Sequence, residues 1–149
     1  MKAIIIKGES PLVEAVEIEP GLKAMQDIVG GNIEYIPFRL TAGENVTKEI
    51  PSLPNKPIHL ELSGWVNEEG KLQSKPQLNI VATRVMRFLG GIHEDDIIVG
   101  PLLLTGQNGD ECDSVPDEAQ PVLEIVVPDI LLNDLLDILS HGLNERGVK

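Results

Sequence analysis

Residues 58–105 constrain the fold most, because within them the spacing of apolar side chains changes period twice. From Ile58 to Val66 the chain alternates. Ile58, Leu60, Leu62 and Val66 share one face, and His59, Glu61, Ser63 and Trp65 share the other, the period of a half-buried strand. Asn67-Glu68-Glu69-Gly70 is a turn, and Lys71 to Pro76 a polar lead-in. From Leu78 the spacing becomes helical, with Leu78, Val81, Ala82, Val85, Phe88 and Leu89 on one face and Arg84 and Arg87 off it. Gly90-Gly91 stops that helix. Ile97-Ile98-Val99 and Leu102-Leu103-Leu104 then flank Gly100-Pro101 in a near-continuous apolar run. A strand buried on both faces has this composition, and the Gly-Pro pair marks a bulge or an edge position midway.

The flanking segments are shorter. Lys2 to Lys7 reads as a strand, and Leu12 to Glu19 as a second one, with a bulge or shifted register at Glu14. Pro20-Gly21 opens a short helix with Leu22, Met25, Ile28 and Val29 on its inner stripe. Ile33 to Phe38 is a third strand, which Pro37 places at an edge. Thr41 to Pro57, with Pro51, Pro54 and Pro57 and no apolar period, reads as a surface loop. Gly106 to Gln120 is polar and turn-rich, and Pro121 to Val127 is a short strand. A helix over Asp129 to His141, ended by Gly142, carries a broad stripe of Leu131, Leu132, Leu135, Leu136, Ile138 and Leu139. Leu132, Leu136, Leu139 and Leu143 step four, three, four, so the stripe either closes the chain's own core or forms a homodimer contact at Leu132, Leu136 and Leu139. Strands outnumber helices and links are short. The expected class is α+β, a mainly antiparallel sheet with two or three helices packed on it. The 149 residues are expected to form one domain, with a core over residues 1–110 and an acidic loop plus amphipathic helix over 111–149.

VNEEGKL followed by a proline, LNIVAT, and DDIIVGPLLLTG resemble a family catalogued as Domain of Unknown Function 3846. MKAIIIK and IVGGNIEYIP are similar to the family's amino-terminal part. The resemblance implies a protein carried by phages and mobile elements of Gram-positive bacteria, sometimes near anti-restriction genes. It brings no catalytic or binding residues, and the segments around Thr41–Pro57 and after Asp113 exceed the family's usual pattern.

Charge narrows the functional classes. Residues 1–87 carry 11 acids and 10 bases, whereas residues 88–149 carry 13 acids against Arg146 and Lys149 alone, giving a net charge of −12. Either this is a solvated face that keeps the protein dispersed, or it docks a partner with a basic surface. Glu94, Asp95, Asp96, Asp110, Glu111 and Asp113 are the candidate partner-binding residues. Direct binding to a nucleic-acid backbone is disfavoured, because that affinity comes from Lys and Arg neutralising phosphates. One cysteine, Cys112, excludes an internal disulfide and suits a reducing cytoplasm, the expected location. No apolar run approaches the roughly 18 residues a membrane helix needs, so no membrane partner is expected.

Motifs for phosphate loops, dinucleotides and nucleophile elbows are absent. Cys112 lies between Glu111 and Asp113, whose charges disfavour a thiolate, so no catalytic residue is assigned. His93-Glu94-Asp95-Asp96 is the densest group of ligand atoms, but zinc spacings are lacking and no metal or other cofactor is assigned. Trp65 is either an outward interface residue or core beneath a further helix. Three functions follow. The first is a non-catalytic accessory protein that binds a host protein, conceivably a defence enzyme, as a homo-oligomer. The second is a nucleotide-like small-ligand binder using Trp65, Arg84 and Arg87. The third is a metal-dependent enzyme using His93, Asp95 and Asp96.

Overall fold

Alternating strands build one antiparallel sheet, which the structure, a computed structural model, describes within residues 1–145, with side chains placed through His141. The strands are β1 (Lys2–Ile6), β2 (Val13–Glu17), β3 (Ile33–Ala42), β4 (Ile58–Asn67), β5 (Leu102–Asn108) and β6 (Glu111–Asp113). Their order is β2-β1-β5-β4-β3, with β6 paired to the far end of β5. Four helices accompany them among the described residues: α1 (Leu22–Val29), α2 (Glu44–Thr47), α3 (Ile80–Leu89) and α4 (Ala119–Glu145). The fold is α+β, as the strand and helix periods require.

The period of two sorts the sheet into two faces. Ile4, Ile6, Phe38, Leu40, Leu60, Leu62, Leu102 and Leu104 point to the larger core, where α3 brings Val85 and Met86 and α4 brings Val122 and Leu123. Ala3 and Leu103 point the other way, beneath Met25 and Val29 of α1. Strand β5 is central, and its Leu102 to Leu104 are fully buried, which is why that run lacks alternation. Strand β3 is an edge, as Pro37 requires.

The structure corrects several expectations. Pro121–Val127 is not a strand but the first part of the 27-residue α4. Val122, Leu123, Val126, Val127 and Ile130 recur at helical spacing and are all buried, so the run suited either period and packing chose the helix. The helix also passes through Pro128, whose missing N–H leaves the carbonyl of exposed Glu124 to water. It continues past Gly142 as well; the side chain of Leu143 lies outside the described residues. Ile97–Val99 is not strand: only Val99 makes an isolated bridge, to Leu78, and Gly100 at φ 77 turns the chain into β5. Glu14 causes no bulge. It pairs in continuous register with Ile5 and sets its carboxylate 3.1 Å from Lys7 Nζ at a partly open edge. The segment after Thr41 is not all surface loop, since Val46 of α2 and Ile50 just beyond it reach the core. Phe88 and Leu78, expected on the inner face of α3, are 63% and 50% exposed, and Met86 takes the inner position.

Candidate functional site

The acidic surface is built first from a hairpin. Strand β5 runs on as Gln107 and Asn108, turns at Gly109-Asp110, and returns as β6 with Asn108 opposite Glu111. Gly109 at φ 64 fits the first position of a two-residue hairpin turn. A side chain at Gly106 would collide with the Ser114 backbone carbonyl, so the crossing beneath β6 needs glycine there. Residues Gln107 to Ser114 are exposed, and Asp110, Glu111 and Asp113 form no ion pair among the described residues. Cys112 is exposed between them.

Glu94, Asp95 and Asp96 lie elsewhere. Their loop packs at the end of β3–β4 marked by Glu34, Val66 and Lys71. The hairpin leaves β5 in the opposite direction, since Leu103 sits opposite Trp65 and Thr105 opposite Ser63. The six candidate acids are therefore two separate groups at opposite ends of the sheet. Asp96 bonds Lys71 Nζ and accepts the Ile97 N–H at 2.8 Å. His93 Nδ1 accepts the Asp95 N–H at 3.2 Å and lies 3.6 Å from Asp95 Oδ2, while Asp96 turns to Lys71; among the described residues no three His, Cys, Asp or Glu side chains form a group that could hold a metal ion.

The hydrogen bond from Lys71 is the main cause holding the Asp96 pKa below its usual value; the Ile97 N–H, Lys71 charge and Arg87 charge add to it, and partial burial opposes it. A carboxylate with a depressed folded pKa adds stability above its unfolded value of about 3.9, and loses it as pH falls through the lower folded value. Lys71→Met is accordingly expected to cost less at about pH 3 than at about pH 6, by no more than ~1 kcal/mol because the pair is partly exposed. Urea unfolding at the two pH values measures the difference.

Trp65, Arg84 and Arg87 are not brought together. Trp65 is half-buried on the α1 face of the sheet, donates to Thr105 Oγ1 at 3.0 Å and stacks at a tilt on Tyr35, 5.4 Å away. Arg84 and Arg87 belong to α3, which packs on the opposite face. Arg87 donates twice to the Asp96 carbonyl, at 2.9 and 2.7 Å, and Arg84 Nη1 lies 3.7 Å from Asp134 Oδ2 of α4. Trp65 thus combines both sequence readings, partly covered by α1 and partly open beside Tyr35.

Helix α4 divides into two parts. Up to Ile130 its inner side is core, whereas Leu132, Leu135, Leu136, Ile138 and Leu139 are each between 50% and 55% exposed. Of the stripe, only Leu131 packs against the chain's own core.

A groove that the sequence analysis missed runs beside α3. One lobe of roughly 450 Å³ is lined by Lys7, Gly8, Glu9, Leu78 and Asn79; a second of roughly 320 Å³ adjoins it across Gln77, Gly100 and Pro101. Asn79 holds its wall. The side chain accepts the Ala82 N–H at 2.9 Å and donates to the Ile6 and Gly100 carbonyls at 3.0 and 2.9 Å. An asparagine one residue before an apolar helical run is a cap signal, readable from sequence. Its two further partners are not, because they come from the end of β1 and from the turn before β5.

With this geometry in place, comparison with known families is informative. The family described as Domain of unknown function (DUF3846) matches residues 54–126. The match spans β4, α3, the β5–β6 hairpin and the start of α4; MKAIIIK and IVGGNIEYIP lie before it. No curated protein and no solved structure matches the chain. No helix among the described residues is long and apolar enough to cross a membrane.

Proposed function

We propose that the protein is a non-catalytic accessory protein of a phage or mobile element, acting as a homo-oligomer that binds a host protein with a basic surface. The observation that supports this reading most is the β5–β6 hairpin, where Asp110, Glu111 and Asp113 project from exposed backbone with no cation paired to them among the described residues. Carboxylates on an exposed hairpin offer a docking element without first breaking internal ion pairs. Such charges act mainly on encounter rate and partner choice, and their effect is screened by salt.

The test is capture from host lysate with immobilised full-length protein, in low and high salt. A discrete partner is expected that is retained in low salt and released in high salt. The Asp110→Asn, Glu111→Gln, Asp113→Asn variant is expected to bind it at least about tenfold more weakly, at roughly 0.5 kcal/mol or more per removed charge. Capture that ignores both salt and the triple substitution overturns the reading.

A further inference from the structure

We infer that the exposed arm of α4, Leu132 to Leu139, is a docking surface for the same arm of a second copy of this chain. The inference rests on the homo-oligomeric part of the proposed function and not on its basic partner.

Area comes first. Leu132, Leu135, Leu136 and Leu139, each about half exposed and on one face, present on the order of 400 Å² of apolar surface, within the range of the largest patch a monomer carries. Two such faces pressed together remove on the order of 800 Å² in total, the small end of the range, which suits a contact that dissociates on dilution. A short helical projection is also marginal in water by propensity alone and needs packing along its apolar side.

Spacing and charge select a second copy as the occupant. Leu132, Leu136 and Leu139 step four and three, the heptad seam. With Leu136 at an a position and Leu132 and Leu139 at d, the flanking e and g positions are Asn133, Leu135 and Ser140, none of them charged. Asp134 and Asp137 fall at f and b, the positions farthest from a partner helix. Asp134 is moreover turned towards the body of the protein, 3.7 Å from Arg84, so the leucine seam on the opposite side of the helix faces outward. A basic helix would find no carboxylate beside this seam. An identical arm meets leucine with leucine, and a two-fold axis makes the contact self-complementary.

Sedimentation of the full chain at tens of micromolar is expected to give twice the monomer mass, with dissociation on dilution. Leu136→Asp is expected to weaken pairing about thirtyfold or more, the size of a central interface residue. Leu139→Gln gives the same reading with less disturbance should the aspartate unfold the arm. Asp137→Ala, at an outer position, is expected to leave the mass unchanged. Raising salt is expected to tighten pairing, since it screens repulsion between chains of net charge −12. A monomeric mass throughout, a dimer indifferent to both seam substitutions, or a dimer that salt dissociates overturns the inference. The hairpin triple variant is expected to remain dimeric, so a failure of the basic-partner reading is distinguishable from a failure here.

Discussion

Leu123→Ala is expected to destabilise the folded chain by about 3–4 kcal/mol, whereas Leu136→Ala, thirteen residues on in the same helix, is expected to change the stability of a single copy by less than ~0.5 kcal/mol. Leu123 is fully buried against the sheet with Ile4, Phe38 and Leu104, so truncation loses its transfer free energy and leaves a cavity. Leu136 is 55% exposed in the single chain, and alanine is the better helix former. Denaturant unfolding of both variants at low protein concentration measures the contrast. Equal costs would mean that the arm is packed on its own chain.

Asn79→Ala is expected to cost about 3 kcal/mol and to lower Tm by roughly 10 °C. Three hydrogen bonds end on this one side chain, which is 4% exposed. Loss of the cap to the Ala82 N–H accounts for about 1 kcal/mol, and the remainder comes from leaving the buried Ile6 carbonyl and the partly buried Gly100 carbonyl without their donor. Asn79→Asp separates the two roles. It keeps the cap acceptor but turns a carboxylate oxygen towards two carbonyl oxygens, so it is expected to be no more stable than the alanine variant. If the aspartate variant instead unfolds like the wild type, the cap alone carries the site.

The sheet was legible wherever one spacing admitted one structure. Leu60, Leu62 and Val66 alternate and are buried on one side of β4; Leu102 to Leu104 do not alternate and are buried on both sides of β5; Pro37 lies in an edge strand. The errors fall where spacing was degenerate or where tertiary packing overrode it. Val122 to Val127 fits either a buried strand or a helix, and the helix expected from Asp129 in fact begins at Ala119. Phe88 satisfied the helical period, yet it is exposed and Met86 occupies the core. For the candidate site, the concentration of acid in residues 88–149 was plain from composition. Its division into a loop at one end of the sheet and a hairpin at the other was not, because strand order is a long-range property. Arg84 and Arg87, three residues apart, suggested an anion pair with Trp65. Topology instead sets α3 and Trp65 on opposite faces, and each guanidinium meets an oxygen of its own chain.

The proposed function rests on two surfaces in the carboxyl-terminal part of the chain: charge at the β5–β6 hairpin and apolar surface on the α4 arm. On that proposal, pairing through the arm leaves both hairpins of the dimer to engage a partner. Such bivalence raises apparent affinity with no new contact when the partner's geometry permits both engagements.

Amide hydrogen exchange at two protein concentrations is the most direct measurement. Amides of residues 132–139 are expected to be weakly protected in dilute protein and to gain protection as concentration rises, while those of residues 122–130 stay strongly protected at both. Equal and strong protection of both segments in dilute protein would show that the arm is already covered within one chain, and would contradict the account.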